Sequence, residues 1–198
     1  MPRAPMPQVK GSTIRTRRDF VLRYHGPEAW SRVRGALQPS DRDLLDGALL
    51  ASAWYPFDLC TRLERAIVEA CAEGDERICV DVGSFSAAEN LATLYRTYLA
   101  GGESPTDFYK RLERLYPTLH DFGSMTVFRP ENRDEIHIVH DYQGFATRSN
   151  CLTALGFFRG AGVSVAIPGL RVEETWCQAL GNASCLLVVT WGEGGKRR

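Results

Sequence analysis

The sequence predicts an α+β fold in which N-terminal helices pack on a C-terminal four-stranded antiparallel sheet. Apolar residues recur at helical spacing before Ser124, period-two alternation begins only there, and Gly and Pro mark the boundaries. With 198 residues, 44% of them hydrophobic, the chain can bury one sizeable core without disulfides or repeats.

Residues 1–12 are patternless and Pro-rich, and are expected to form a flexible tail ahead of a single domain over 13–192, with a second tail at 193–198. Helices are expected over 17–24, 27–37 and 41–50, the second opened by Pro27 and the third N-capped by Ser40. WYP at 54–56 reads as a turn. The strongest helix spans 57–73, where Leu59, Leu63, Ala66, Ile67 and Ala70 form a stripe that Gly74 ends. A helix over 84–100 stacks Leu91, Leu94, Tyr95 and Tyr98, and Gly101 and Gly102 part it from one over 105–116. MTVF and EIHIVHDY form one antiparallel pair around PENRD, SVAIPGLRV and CLLVVTW form another, and a helix at 147–159 lies between the pairs. Each apolar face needs a covering layer, which places the helices mainly on one face of the sheet.

The zero formal net charge hides an asymmetry: residues 1–37 carry a net +6 and the remainder −6. The basic segment has no DNA-binding motif and few interleaved aromatics, so it is expected to pair within the chain or face solvent, not nucleic acid. The N-terminus lacks an apolar signal region, and no stretch approaches the ~18 apolar residues of a membrane span. Six cysteines in positions unlike a secreted framework complete the expectation of a cytoplasmic protein.

The residues with most chemistry are Cys151 and, in the run VEETWCQALGNASC, Glu174, Cys177 and Cys185. Three thiolates and a carboxylate fill a closed tetrahedral zinc site, the kind that staples a fold. On a helical turn Glu174 and Cys177 would face the same way, and Glu173, four residues from Cys177, is geometrically as plausible. The C-x7-C interval is not a short zinc knuckle, so spacing alone favours three small buried hydrophobes.

Other groups carry less. An H-x2-H interval on a strand points His137 and His140 to opposite faces. Cys60, Cys71 and Cys79 sit among apolar neighbours, and no nucleophile motif surrounds His120, Asp121 and Ser124. Trp54, Tyr55, Phe57, Phe108, Phe122, Phe128 and Phe145 could line a cavity or simply fill a core.

From 144 to 191, the GF pair, the Cys151 helix, ALGFFRGAG, E-x2-C, LGNASC and the strand ending at Trp191 resemble the 4-vinyl reductase domain. That domain is akin to the sensors of phenol-responsive activators and to the TRAPP tethering subunits. The resemblance implies that structure, a structural zinc on Cys151, Glu174, Cys177 and Cys185, and the choice of Glu174 over Glu173. The residues that clasp phenol in those sensors have no counterpart here. KGSTIRTRRDFVLRYHGPEAW, SAWYPFDL and the helix ending in YRTYL further resemble a family of myxobacterial paralogues of this length, which implies architecture, not activity.

The expected function is that of a non-enzymatic small-molecule-sensing or regulatory domain with structural zinc, binding a small apolar or aromatic ligand. The alternative is a homodimeric interaction or scaffolding module for an unidentified protein partner, dimerising through helices 57–73 and 84–100 without any ligand.

Overall fold

The structure, a computed structural model, describes residues 6–92 and 104–192. Its N-terminal part runs β1 (Gln8–Lys10), α1 (Gly11–Tyr24), α2 (Gly26–Gly35), α3 (Pro39–Asp46), β2 (Trp54–Pro56), α4 (Phe57–Ala72), α5 (Ile78–Ala92) and α6 (Pro105–Leu119). There follow β3 (Ser124–Phe128), β4 (Glu135–Asp141), α7 (Arg148–Ser164), β5 (Arg171–Trp176), a 3-10 turn (Gln178–Leu180) and β6 (Cys185–Thr190). The last four strands form one antiparallel sheet in the order β3-β4-β6-β5, and β1 and β2 form a separate two-stranded ribbon.

The α+β class stands, with several boundaries moved. Residues 8–10, within the expected tail, pair with WYP, the expected turn. The ribbon is tied down: Val9 is buried, and the Gln8 backbone N–H donates to Asp121 Oδ1 at 2.6 Å. Strands of three residues are too short to show alternation. α5 begins at Ile78, ahead of the expected 84, while the rest of that expected helix and the 193–198 tail lie outside the described residues. α7 takes in Ser164, the first residue of SVAIPGLRV, and the chain turns through Ala166 and Gly169, both at positive φ, before β5 starts.

Two apolar clusters form the interior. One gathers α1–α4 around Ile14, Leu59, Leu63 and Ile67, and the other lies between α6, α7 and the inner sheet face at Tyr109, Ile136, Ile138, Leu187 and Val189. On β4 the alternation is regular, so His140 is buried and His137 lies on the other face, as their interval requires. The stripe of α4 is spent inside the chain, on Leu59, Leu63, Ala66 and Ile67. Leu94, Tyr95 and Tyr98, the other part of that expectation, fall outside the described residues.

The basic N-terminal segment pairs within the chain. Arg17 reaches the fully buried Glu64, Arg23 pairs with Glu89, and Arg34 with Asp46. Arg17 Nε donates to Glu64 Oε1 at 2.9 Å, Thr153 Oγ1 donates to the same oxygen at 2.9 Å, and the Asn150 amide donates to Oε2. A buried carboxylate so supplied is satisfied, and it joins α1, α4 and α7.

α5 and α7 cross with backbone on backbone. A Cβ at Gly83 would lie 2.0 Å from Thr153 O, and one at Gly156 would lie 1.9 Å from Val80 O. Ser84 Oγ closes the crossing with a hydrogen bond to Gly156 O at 3.1 Å. Gly156→Ala is therefore expected to lower stability by about 1–3 kcal/mol or more, since the colliding atom is main chain and cannot swing aside. Gly35→Ala, which meets nothing within 4 Å, should be close to neutral in the same thermal or denaturant unfolding measurement.

Candidate functional site

The residues singled out by spacing do converge. The first turn of α7 supplies Cys151, β5 supplies Glu174, the chain just past β5 supplies Cys177, and Cys185 opens β6. Their ligand atoms all lie within 4.8 Å of one another, and the three thiols are buried. The local geometry differs from the helical turn expected for Glu174 and Cys177. Both lie on extended chain, where an interval of three would split them between faces, but the register shifts between Glu174 and Trp176. That bulge restores them to one side. Glu173 is exposed on the opposite face, so Glu174 is the carboxylate in the cluster.

Internal hydrogen bonds order the cluster. Cys151 Sγ and Cys185 Sγ are 3.4 Å apart, and the Gln178 backbone N–H donates to Cys185 Sγ at 3.3 Å. Arg148 Nη1 donates to Cys177 Sγ at 3.1 Å and also to Glu174, whose other oxygen is buried without a partner. The hydrogen bond from Cys151 holds the Cys185 thiol down at about 7, and the same contact pushes Cys151 far up.

A second site was not legible in the motifs. Between the helices and the inner sheet face lies a cavity of about 100 Å³, with Phe57, Leu112, Met125, Phe157 and Phe158 among its apolar walls. Of the seven aromatics considered from sequence only Phe57 lines it, whereas Trp54, Phe128 and Phe145 are exposed. Its polar lining includes Tyr116, His120 and His140 beside Arg17, Ser86, Asn90, Asn150 and Thr153. The Tyr116 hydroxyl donates to Phe122 O at 3.1 Å and meets His140 Nε2 at 2.9 Å, while the His120 ring stacks on Tyr116 at 4.5 Å. The Nδ1 atoms of both histidines are buried without a hydrogen-bond partner. Burial pushes His120 down to about 4 and His140 down to about 3, so both rings are neutral. Cys60, also on the wall, is pushed up to about 12 by burial and stays a thiol. The signal in the sequence was His140 on the apolar face of an alternating strand; His120, on a different element, had none.

No protein-family model matches the chain, and no curated protein matches it. Solved structures do. An H-NOX protein from S. oneidensis in the Fe(II)NO ligation state superposes with a TM-score of 0.72 at 14% identity, covering 93% of this chain and 99% of that one. An unliganded Fe(II) H-NOX protein from K. algicida gives 0.65 at 12% identity, covering 94% and 98%. A structure described in terms of heme distortion in the H-NOX family gives 0.68 at 16%, covering 96% and 98%. The likeness is one of fold.

Two expectations are thereby overturned. The chain has the fold of H-NOX proteins and not that of the 4-vinyl reductase domain or the TRAPP subunits. The segment that carried the resemblance is one helix, α7, and one bulged hairpin, which another α+β fold can also hold. Structural zinc as the cofactor falls with it, because the structures of this fold are described by heme and iron ligation, not by zinc.

Heme itself does not fit this interior. About 100 Å³ is well below the roughly 300–1,000 Å³ of pockets that take drug-sized ligands, and a porphyrin is a large member of that range. Arg17 is the one Lys or Arg on the described wall, and Glu64 already pairs with it, so among the described residues no unpaired cation of the wall meets carboxylate side arms. Among the described residues no helix is long and apolar enough to cross a membrane.

The neutral histidines set an acid limit on stability. An unfolded chain takes up these protons below about 6.5, whereas the folded chain resists until about 4 and 3. Between those values the unfolded state binds more protons, so stability falls as pH drops and the two groups add no slope above 6.5. Unfolding free energy should decline by about 1–3 kcal/mol per pH unit between pH 6 and 4.5, and His140→Phe should flatten that slope.

Proposed function

We propose that this chain is a non-enzymatic small-molecule-sensing domain of the cytoplasm whose ligand occupies the cavity between the helices and the sheet, without heme. The observation that carries this reading is the cavity itself: an apolar interior space with two buried, unpartnered imidazole nitrogens on its wall. Interiors are normally close-packed, and their buried polar atoms are normally paired, so a site departing from both rules is built to receive something. The fold supports a sensing role, since its H-NOX relatives in structure are described by the diatomic ligands and ligation states of their iron. Six free cysteines accord with a reducing compartment.

A small aromatic compound should stabilise the chain by mass action, about 2.7 kcal/mol at a hundredfold excess over its dissociation constant, in a thermal-shift titration. Ala154→Leu, which fills the cavity from α7, should abolish the shift. A broad screen of such compounds without a stabilising hit would sink the reading. Titration with haemin should give no stoichiometric axial-ligation spectrum.

Cys151, Glu174, Cys177 and Cys185 are proposed as a ligand set for a thiophilic cation, supported by the convergence of four donors on one point. Cobalt(II) is the probe, because thiolate coordination gives intense near-ultraviolet charge-transfer bands. One equivalent should produce them, and the Cys177→Ser, Cys185→Ser double variant should lose them; bands unchanged in that variant count against the assignment.

The second reading, a homodimeric or partner-binding module, is favoured by one feature. The outer sheet face is uncovered among the described residues and carries Phe128 and Trp176, 41% and 52% exposed. Light scattering across a concentration series separates a dimer from a monomer.

A further inference from the structure

The wall of the cavity has a definite hydrogen-bonding polarity. Tyr116 has one hydroxyl proton, and it goes to the Phe122 carbonyl at 3.1 Å, a group that only accepts. His140 Nε2, 2.9 Å from the same phenol oxygen, must then be the donor of that contact. A neutral imidazole carries one N–H. Nδ1 of His140 therefore presents a bare lone pair, buried and with no partner in the protein.

The surrounding groups narrow what can meet it. Arg17 Nε donates to Glu64 Oε1 and Nη1 to the Thr13 carbonyl, Thr153 Oγ1 donates to Glu64, and the Tyr142 hydroxyl donates to Asn150 O at 3.3 Å. The Arg17 charge is matched by that of Glu64, so a charged guest would be desolvated with nothing to balance it. Ser86 Oγ on the wall is already paired with Thr16 Oγ1 at 2.9 Å and accepts from the Asn90 amide at 3.4 Å, and most of the remaining lining is phenyl and aliphatic carbon. A cavity of about 150 Å³ lined by Leu, Ile and Phe holds benzene, so this one, at about 100 Å³, suits a smaller ring.

Resting on the cavity reading above, we propose that the ligand is a neutral, ring-sized small molecule with a single N–H or O–H, which it donates to His140 Nδ1. Apolar walls take its carbon face, and the acceptor selects it over molecules of the same shape that lack a donor. Tyr116 acts as a positioning residue: by accepting from Nε2–H it fixes the tautomer that leaves Nδ1 free.

Pyrrole and furan make the test, being five-membered rings of nearly one size that differ in the donor. With the full chain, calorimetric titration should show pyrrole binding tighter than furan by about tenfold or more, because a site that hydrogen-bonds its ligand rejects the isostere lacking that group. On histidine-¹⁵N-labelled protein, the His140 Nδ1 resonance should shift with pyrrole and stay in place with furan. In His140→Phe the preference for pyrrole should vanish; if that variant does not fold, the resonance on the unmodified chain decides. Equal binding of the two rings, or pyrrole binding without movement of Nδ1, overturns the donor assignment and leaves the cavity reading standing. Binding of neither ring, nor of any compound in the wider screen, overturns both.

Discussion

The contact between α5 and α7 is the constraint on which the interior depends. With no Cβ at Gly83 or Gly156, the two helices meet main chain to main chain. A helix held that close cannot slide or rotate without losing its neighbours, so the side chains flanking the glycines are delivered to fixed positions. Thr153, Ala154, Phe157 and Phe158 of α7 and Ser86 and Asn90 of α5 all reach the cavity from this one crossing. The cavity follows from the approach of two backbones, which leaves a gap that neither helix can close by bending.

Polar chemistry then locks the remaining layers to that crossing. Glu64 has no solvent, and it gathers a guanidinium from α1, a hydroxyl and an amide from α7, and sits itself on α4. Removing Arg17 would strand a buried charge, a far larger loss than a surface ion pair such as Arg23–Glu89 represents. The N-terminal helices are therefore attached to the sheet-bearing half by a satisfied charge as well as by apolar area.

The elements that the sequence made legible are those with a long period. α4 with its stripe and β4 with its alternation were both readable, since each has enough residues to repeat its pattern. β1 and β2 were not, because three residues cannot establish a period and their stability comes from Asp121 and the buried Val9. The four residues of the thiol cluster were legible as a group, but the reason for their convergence was not: the bulge beside Glu174 is set by strand register, which no local spacing shows. The fold was misassigned because a motif of one helix and one hairpin says little about the layers around it. The histidine pair was invisible for a related reason, since α6 and β4 bring the two rings together only after the sheet has formed.

The antiparallel register has one more consequence. His140 of β4 and Cys185 of β6 are direct partners across the ladder, so a histidine of the cavity wall and a cysteine of the cluster stand on the same rung. Asn150, whose carbonyl takes the Tyr142 hydroxyl, is covalently next to Cys151. The two sites are thus mechanically one unit seen from opposite ends. Thermodynamic linkage is symmetric, so whatever free energy an event at the sulfurs imposes on that rung is returned, unchanged in size, by an event at the imidazole.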